Sequence, residues 1–402
     1  MRARLVRIGS LLGVTLVLAF YAEALAHAPA TGQDLRTFYA AAVVLRHGGD
    51  PYDPRQLARW EERLYRPTTA AGRTALAENP YVQGPPLAIA LLPLVGQPVG
   101  LIYRGWAIIL ALAAAVALAL SARLWPMGAS GSRFLRYAGL LLVSPITFVG
   151  VFLGQPDAIL LLAFVGALTL YRRYPLAAGA LVALGLVKPQ IMAGPLLLVA
   201  ALAWREGRIF RYIAGLLLGC CVLLGASAAI AGPAIVREWA RGLTGFGATT
   251  VYAQVDVSSL STLYVGWAPH ALAVICVVVG LGAWAALSVG LWTTARCDEG
   301  RRWWLMTALT LWLLATPYAH PHDDALLLPA VWYLLDHGPY KGATRLLALL
   351  TLLAWWLLPM TSVLGLRPPI VRGLGIVPIL LLAALLMTRR PVPRSGYWSL
   401  PE

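Results

Sequence analysis

From residue 100 to residue 388 the chain is a near-continuous series of apolar runs, most of roughly 15 to 25 residues. About 20 apolar residues carry a helix across a bilayer. The runs fall at 5–26, 100–122, 136–153, 156–171, 175–188, 190–204, 211–232, 268–294, 303–317, 322–336, 345–364 and 372–388. The shorter ones need tilt, local bilayer thinning or ends covered by protein. A further apolar piece, 85–98, is shorter still and is interrupted by Pro93 and Pro98. Composition agrees: 59% of residues are hydrophobic and 12% are charged, against about 45–50% and about 25% in soluble domains. A soluble globule has too much surface to hide such a chain. The runs are continuous rather than alternating, which argues against a β-barrel. The expectation is an all-α polytopic membrane protein.

Charge sets the expected orientation. Seven connections are basic, around Arg2, Arg123, Arg172, Arg205, Arg301, Lys341 and Arg389, and hold 19 of the 32 Lys and Arg residues against five acids. The alternate connections hold the other 13 with 12 acids. Cytoplasmic loops gather Lys and Arg, so the basic connections and both termini are expected inside. The net charge of +15 is then a sign of topology, and no nucleic-acid partner is expected. Both termini inside require an even number of crossings. Twelve fit if 85–98 is re-entrant or interfacial and does not cross. Irregular backbone at that depth needs cover from protein or a water-filled cavity.

The whole chain reads as one integral membrane domain. A first transmembrane helix covers 1–26, and an outer loop with surface helices and the re-entrant piece covers 27–99. Transmembrane helices at 100–232 and 268–388 flank a second outer loop at 233–267, and a cytoplasmic tail follows at 389–402. Residues 5–26 followed by Ala-His-Ala also resemble a signal peptide, but retention is expected. The cysteines Cys220, Cys221, Cys276 and Cys297 have no metal-type spacing and suggest no disulfide framework.

Charged residues at the ends of spans are costly and so mark candidate sites. Four segments bring such residues to the outer side. Asp34 opens an apolar-faced helical stretch to His47, expected to lie along the membrane surface. It either caps that helix or serves chemistry. Asp50 and Asp53, in Gly49-Asp-Pro-Tyr-Asp-Pro54, read as turn and cap residues. Gly154-Gln155-Pro156-Asp157 joins two spans, and Asp157 suits a first helical turn. Lys188, before Pro189 and Gln190, is out of place for the positive-inside rule. It points to an anionic group such as a phosphate, with snorkelling as the plainer reading. His320-Pro-His322-Asp323-Asp324 joins two more spans. Its Pro321 and the lack of matching His or Cys favour a hydrogen-bonded cluster over a metal site. One carboxylate here suits proton abstraction from a hydroxyl.

These pieces resemble glycosyltransferase family 87, of the GT-C superfamily of polyprenyl-phosphate-sugar-dependent enzymes. The resemblance rests on Asp34-Leu-Arg-Thr-Phe-Tyr39, Gly49 to Pro54, Asn79 to Leu87, Gly154-Gln155, Lys188-Pro189, and His322-Asp323 before Leu326-Leu-Leu-Pro329, in that order. It implies a GT-C-like fold of about 12 transmembrane helices in the bacterial inner membrane. The implied reaction is inverting transfer of a mannose- or arabinose-like sugar from a polyprenyl-phosphate donor to a lipid or glycan acceptor, at the outer face. Asp34 is implied as the general base. Lys188 and Gln155 would bind the donor phosphate, and Tyr39, Asp157, Gln190, His320, His322 and Asp323 would contact substrate. The partners implied are membrane lipids, the lipid-linked sugar and the acceptor. No cofactor is required by the sequence, and a divalent metal is left open. Gly84 stands where a Tyr is expected, Asp157 where an Asn is common, and Gln190-Ile191 where a second proline follows. The alternative reading is a transporter or flippase of lipids or lipid-linked glycans. Such proteins carry midplane sites and repeats, and neither is visible here.

Overall fold

The structure is a computed structural model. It describes residues 33–65, 81–124, 144–245, 270–294, 298–316, 319–320, 322–336, 342–363 and 376–387. The expected first span at 5–26, the tail at 389–402 and most of the second outer loop lie outside the described residues.

All regular elements among the described residues are helical. In chain order they are α1 (Gln33–Arg46), α2 (Pro54–Tyr65), α3 (Pro85–Leu91), α4 (Val99–Leu124), α5 (Pro145–Leu153), α6 (Asp157–Leu170), α7 (Pro175–Val182), α8 (Pro189–Arg205), α9 (Ile209–Ala231), α10 (Ala234–Gly245), α11 (His270–Thr294), α12 (Asp298–Ala315), α13 (Leu328–Asp336), α14 (Gly342–Val363) and α15 (Ile376–Met387). Short 3-10 turns follow α3 and α7 and precede α13. Proline starts many of these helices. Pro85, Pro145, Pro175 and Pro189 each sit in a first turn, where the missing N–H costs nothing and φ is already set.

Among the described residues two helices, α4 and α9, are long and apolar enough to cross a membrane. A third candidate is the pair α5 and α6, bent by 119° at the Gly154 corner. The exposed residues of α9 include Phe210, Leu217, Val222 and Ile230, a face suited to lipid rather than water. Helix α3 has seven residues, about 10 Å of rise against about 30 Å of hydrocarbon. It is too short to cross.

The main core joins α6, α7, α8, α9, α12, α13, α14 and α15. Its large side chains include Phe164, Tyr212, Trp304, Trp332 and Trp355, each nearly inaccessible. A second core surrounds α1, where Leu35, Phe38, Ala41 and Val44 meet Leu57, Tyr81, Leu87 and Leu91. Here the structure departs from the sequence expectation. The segment from Asp34 is not a surface helix with one wet face, because residues 37–44 are all buried. Helices α2 and α3 cover the faces that the periodicity left open. Helix α2 is the amphipathic one. Asp53 caps it, accepting from Arg55 N at 2.9 Å, and Asp50 accepts from Tyr52 N at 2.9 Å. Both are the local turn contacts expected of Asp.

Candidate active site

The corner between α5 and α6 places the first group. Ser144 caps α5, and Gly154 ends it in the left-handed region at φ 78°. Gln155 N then donates back to Gly150 O at 2.9 Å, as in a Schellman cap. A Cβ on Gly154 would stand 2.6 Å from Leu35 Cβ, so both backbone conformation and the approach of α1 require glycine here. Two side chains of α4 fasten the corner. Tyr103 Oη donates to Phe152 O at 2.9 Å and Trp106 Nε1 to Gly154 O at 2.8 Å. These are carbonyls left without helical partners at the end of α5.

Gln155 therefore meets α1. Its Nε2 donates to Asp34 Oδ2 at 2.7 Å. Its Oε1 accepts from Lys188 Nζ at 3.3 Å. The cation on one side and the carboxylate on the other fix which way the amide points.

Lys188 is the hub. Its Nζ also donates to Asp157 Oδ1 at 3.0 Å and Asp323 Oδ1 at 2.5 Å, and lies 3.4 Å from His322 Nε2. Lys188, Asp157 and Asp323 are 3%, 1% and 0% exposed. Buried charges survive only when paired and hydrogen-bonded, and this trio meets that requirement. The turn carrying Lys188 is held from two sides. Gly84 N donates to Val187 O at 2.9 Å, and a side chain on Gly84 would collide with Leu186 O. That is the physical reason for glycine where a Tyr is expected. On the other side, Pro195 within α8 has no N–H to offer Ile191 O. Trp312 Nε1 donates to that oxygen at 2.7 Å, and Thr316 Oγ1 donates to Gln190 O at 2.7 Å.

The last segment folds on itself. His320 N donates to Asp323 Oδ2 at 2.7 Å, leaving Oδ1 for Lys188. The rings of His320 and His322 stack with centroids 5.2 Å apart. Asp157, His322 and Asp323 present a set that could ligate a metal ion, and Lys188 Nζ lies among them.

The structure thus brings Asp34, Gln155, Asp157, Lys188, His322 and Asp323 into one connected network, with His320 at its edge. Gln190 adjoins it through the backbone, and its Oε1 is buried without a hydrogen bond among the described residues. Tyr39 is bound elsewhere: its hydroxyl accepts from Gly96 N at 3.1 Å, in a separate apolar cluster with Val43 and Ile102. Tyr103, Trp106 and Trp312, which hold the site's backbone in place, are not marked by any motif in the sequence. Polar-tipped aromatics at the ends of apolar runs, and a proline inside one, were the available signals.

Asp34 lies outside the apolar runs. Burial raises its carboxyl above the ordinary value, and the Gln155 bond acts against that shift.

The sequence profile of glycosyltransferase family 87 matches residues 81–317, more than half of the chain. The chain belongs to glycosyltransferase family 87. No curated protein and no solved structure matches it. The matched region contains Gln155, Asp157 and Lys188 and stops just short of His320 to Asp323. This family 87 glycosyltransferase is all-helical among its described residues, with the apolar helices of a membrane protein, and its buried polar network joins the middle of the matched region to α1 on one side and to the segment just beyond the match on the other.

Proposed function

We propose that this family 87 glycosyltransferase transfers a sugar, mannose- or arabinose-like, from a polyprenyl-phosphate donor to a hydroxyl of a lipid or glycan acceptor, with inversion. The observation that carries the reading is the state of Asp34. One oxygen is tied to Gln155, while the other has no hydrogen bond among the described residues. In the proposed step the acceptor oxygen attacks the anomeric carbon and its proton passes to Asp34. The bond from that carbon to the phosphate oxygen breaks, and polyprenyl phosphate leaves with the electron pair. A positioned base of this kind contributes about 10²–10⁴-fold.

Three buried oxygens lack hydrogen-bond partners among the described residues: Asp157 Oδ2 at the hub, and Gln190 Oε1 and Gln83 Oε1, whose residues lie on segments adjoining the Lys188 turn. All three accept hydrogen bonds. Leaving each unpaired costs about 1–3 kcal/mol, and the hydroxyls of a sugar would relieve that cost. Lys188 fits a different part than a free phosphate ligand. Its three N–H groups already serve Asp157, Asp323 and Gln155, so a phosphate contact would displace one of them. In this reading it orients Gln155, and through it Asp34.

The charge pattern supports the remaining parts: about twelve crossings in a GT-C-like arrangement, both termini cytoplasmic, and the site at the outer face of the inner membrane. The test is a donor comparison with purified protein and a membrane lipid extract. The reading expects glycosylated product from a synthetic polyprenyl-phosphate mannose or arabinose and none from the corresponding sugar nucleotide. Product from the nucleotide alone overturns the donor assignment.

A further inference from the structure

Asp157, His322 and Asp323 come from two parts of the chain and offer ligand atoms that all lie within 4.8 Å of one another, all three residues buried. Two carboxylates and an imidazole are an ordinary ligand set for zinc or manganese. The space between them is filled by an ammonium group. Lys188 Nζ lies 3.0 Å from Asp157 Oδ1, 2.5 Å from Asp323 Oδ1 and 3.4 Å from His322 Nε2. A nitrogen facing the ammonium presents a lone pair, which is also what a metal would need of it. The spacing fits the ammonium: a divalent ion would draw the same atoms to about 2.0–2.2 Å.

The ammonium is also anchored. Lys188 N donates to Gly185 O at 3.0 Å, its carbonyl accepts from Ile191 N at 3.1 Å and Met192 N at 3.2 Å, and Pro189 follows it. The side chain is 3% exposed. Moving it aside would strand two buried carboxylates without a cation, a large cost.

We infer that Lys188 is the resident cation of this site: its ammonium holds the position that a divalent metal ion would take among Asp157, His322 and Asp323, so the native site excludes such an ion and becomes a metal site when the lysine is removed. The inference goes beyond the transferase reading and does not depend on it.

Manganese(II) binding by electron paramagnetic resonance, on the full-length protein in detergent, tests it. Wild type and Asp323→Asn should show the same weak background. Lys188→Ala should gain one ion per chain, bound at least about tenfold more tightly than by wild type. Lys188→Ala with Asp323→Asn should lose it. Manganese should raise the melting temperature of Lys188→Ala and leave that of wild type unchanged. A wild-type ion that Asp323→Asn abolishes would overturn the inference, as would a folded Lys188→Ala that binds none. Should Lys188→Ala not stay folded, the wild-type and Asp323→Asn pair still decides whether the native site excludes the ion. Absence of glycosyl transfer would sink the transferase reading and leave these binding results untouched.

Discussion

Gln155 Nε2 donates to Asp34 Oδ2 across 2.7 Å, while the oxygen of the same amide accepts from Lys188. One side chain therefore couples the proposed base to the buried cation. Gln155→Ala removes a hydrogen bond to a charged group, worth about 1.5–3 kcal/mol. We expect kcat/KM to fall by about one to two orders of magnitude. The pH profile should move as well. Burial raises the Asp34 carboxyl and the Gln155 bond opposes it, so activity should fall as pH drops through the Asp34 pKa, and that limb should lie at higher pH in Gln155→Ala. An unmoved limb would mean that another group sets it.

A second carboxylate is buried beside α1. Glu61 Oε1 accepts from Thr37 Oγ1 at 2.8 Å, and Oε2 has no partner among the described residues. Burial pushes its pKa up from 4.5 to about 7, with the Thr37 bond and Arg36 acting against it. The folded protein thus binds this proton more tightly than the unfolded chain does. Stability from Glu61 is full below about pH 4.5 and declines as pH rises to about 7, by about 3 kcal/mol in all. Thermal unfolding in detergent across that range should show the decline in wild type and a flatter curve in Glu61→Gln.

Gln83 and Gln190 separate a functional from a structural reading of unpaired atoms. If their buried Oε1 atoms are packing defects, replacing either residue by Leu raises stability by about 1 kcal/mol and leaves activity alone. We expect the stability gain together with a several-fold rise in KM for the donor. Melting curves and initial rates on the same preparations distinguish the two.

Gly154→Ala forces a Cβ into a left-handed conformation and against Leu35. The backbone part alone costs about 1–2 kcal/mol, and the clash would push α1 away from Gln155. Both melting temperature and kcat should fall. A loss of stability with kcat intact would show that the corner does not set the distance between Gln155 and Asp34.

Much of this site was legible in the sequence, for a reason that holds in membranes generally. Lys188 stood out because a lone cation at the outer end of apolar runs goes against the distribution of Lys and Arg, whereas Asp34 and Asp157 read equally well as helix-capping residues, and the family resemblance is what singled out Asp34. Their convergence followed from assigning sides by Lys and Arg content. What the sequence did not carry was who satisfies whom. Lys188 read as a cation awaiting an anion, yet partners 31 and 135 residues away along the chain already engage it. The helix after Asp34 read as a surface helix because its cover comes from α2, Tyr81 and α3, which periodicity within the segment does not reveal. Tyr39 lay in the right motif, but its position on α1 turns it toward Gly96. The bond from Trp312 to the carbonyl freed by Pro195 links residues 121 apart and could be stated only once both were placed.

The central claim is that Asp34 takes the acceptor proton during transfer. The direct measurement is the single-turnover rate of sugar transfer from a polyprenyl-phosphate donor by wild type and Asp34→Asn, with donor binding measured in both. Asparagine keeps the shape and loses the basicity, so the account predicts near-equal donor affinity and a rate lower by about 10²–10⁴-fold. Equal rates in the two proteins would contradict it.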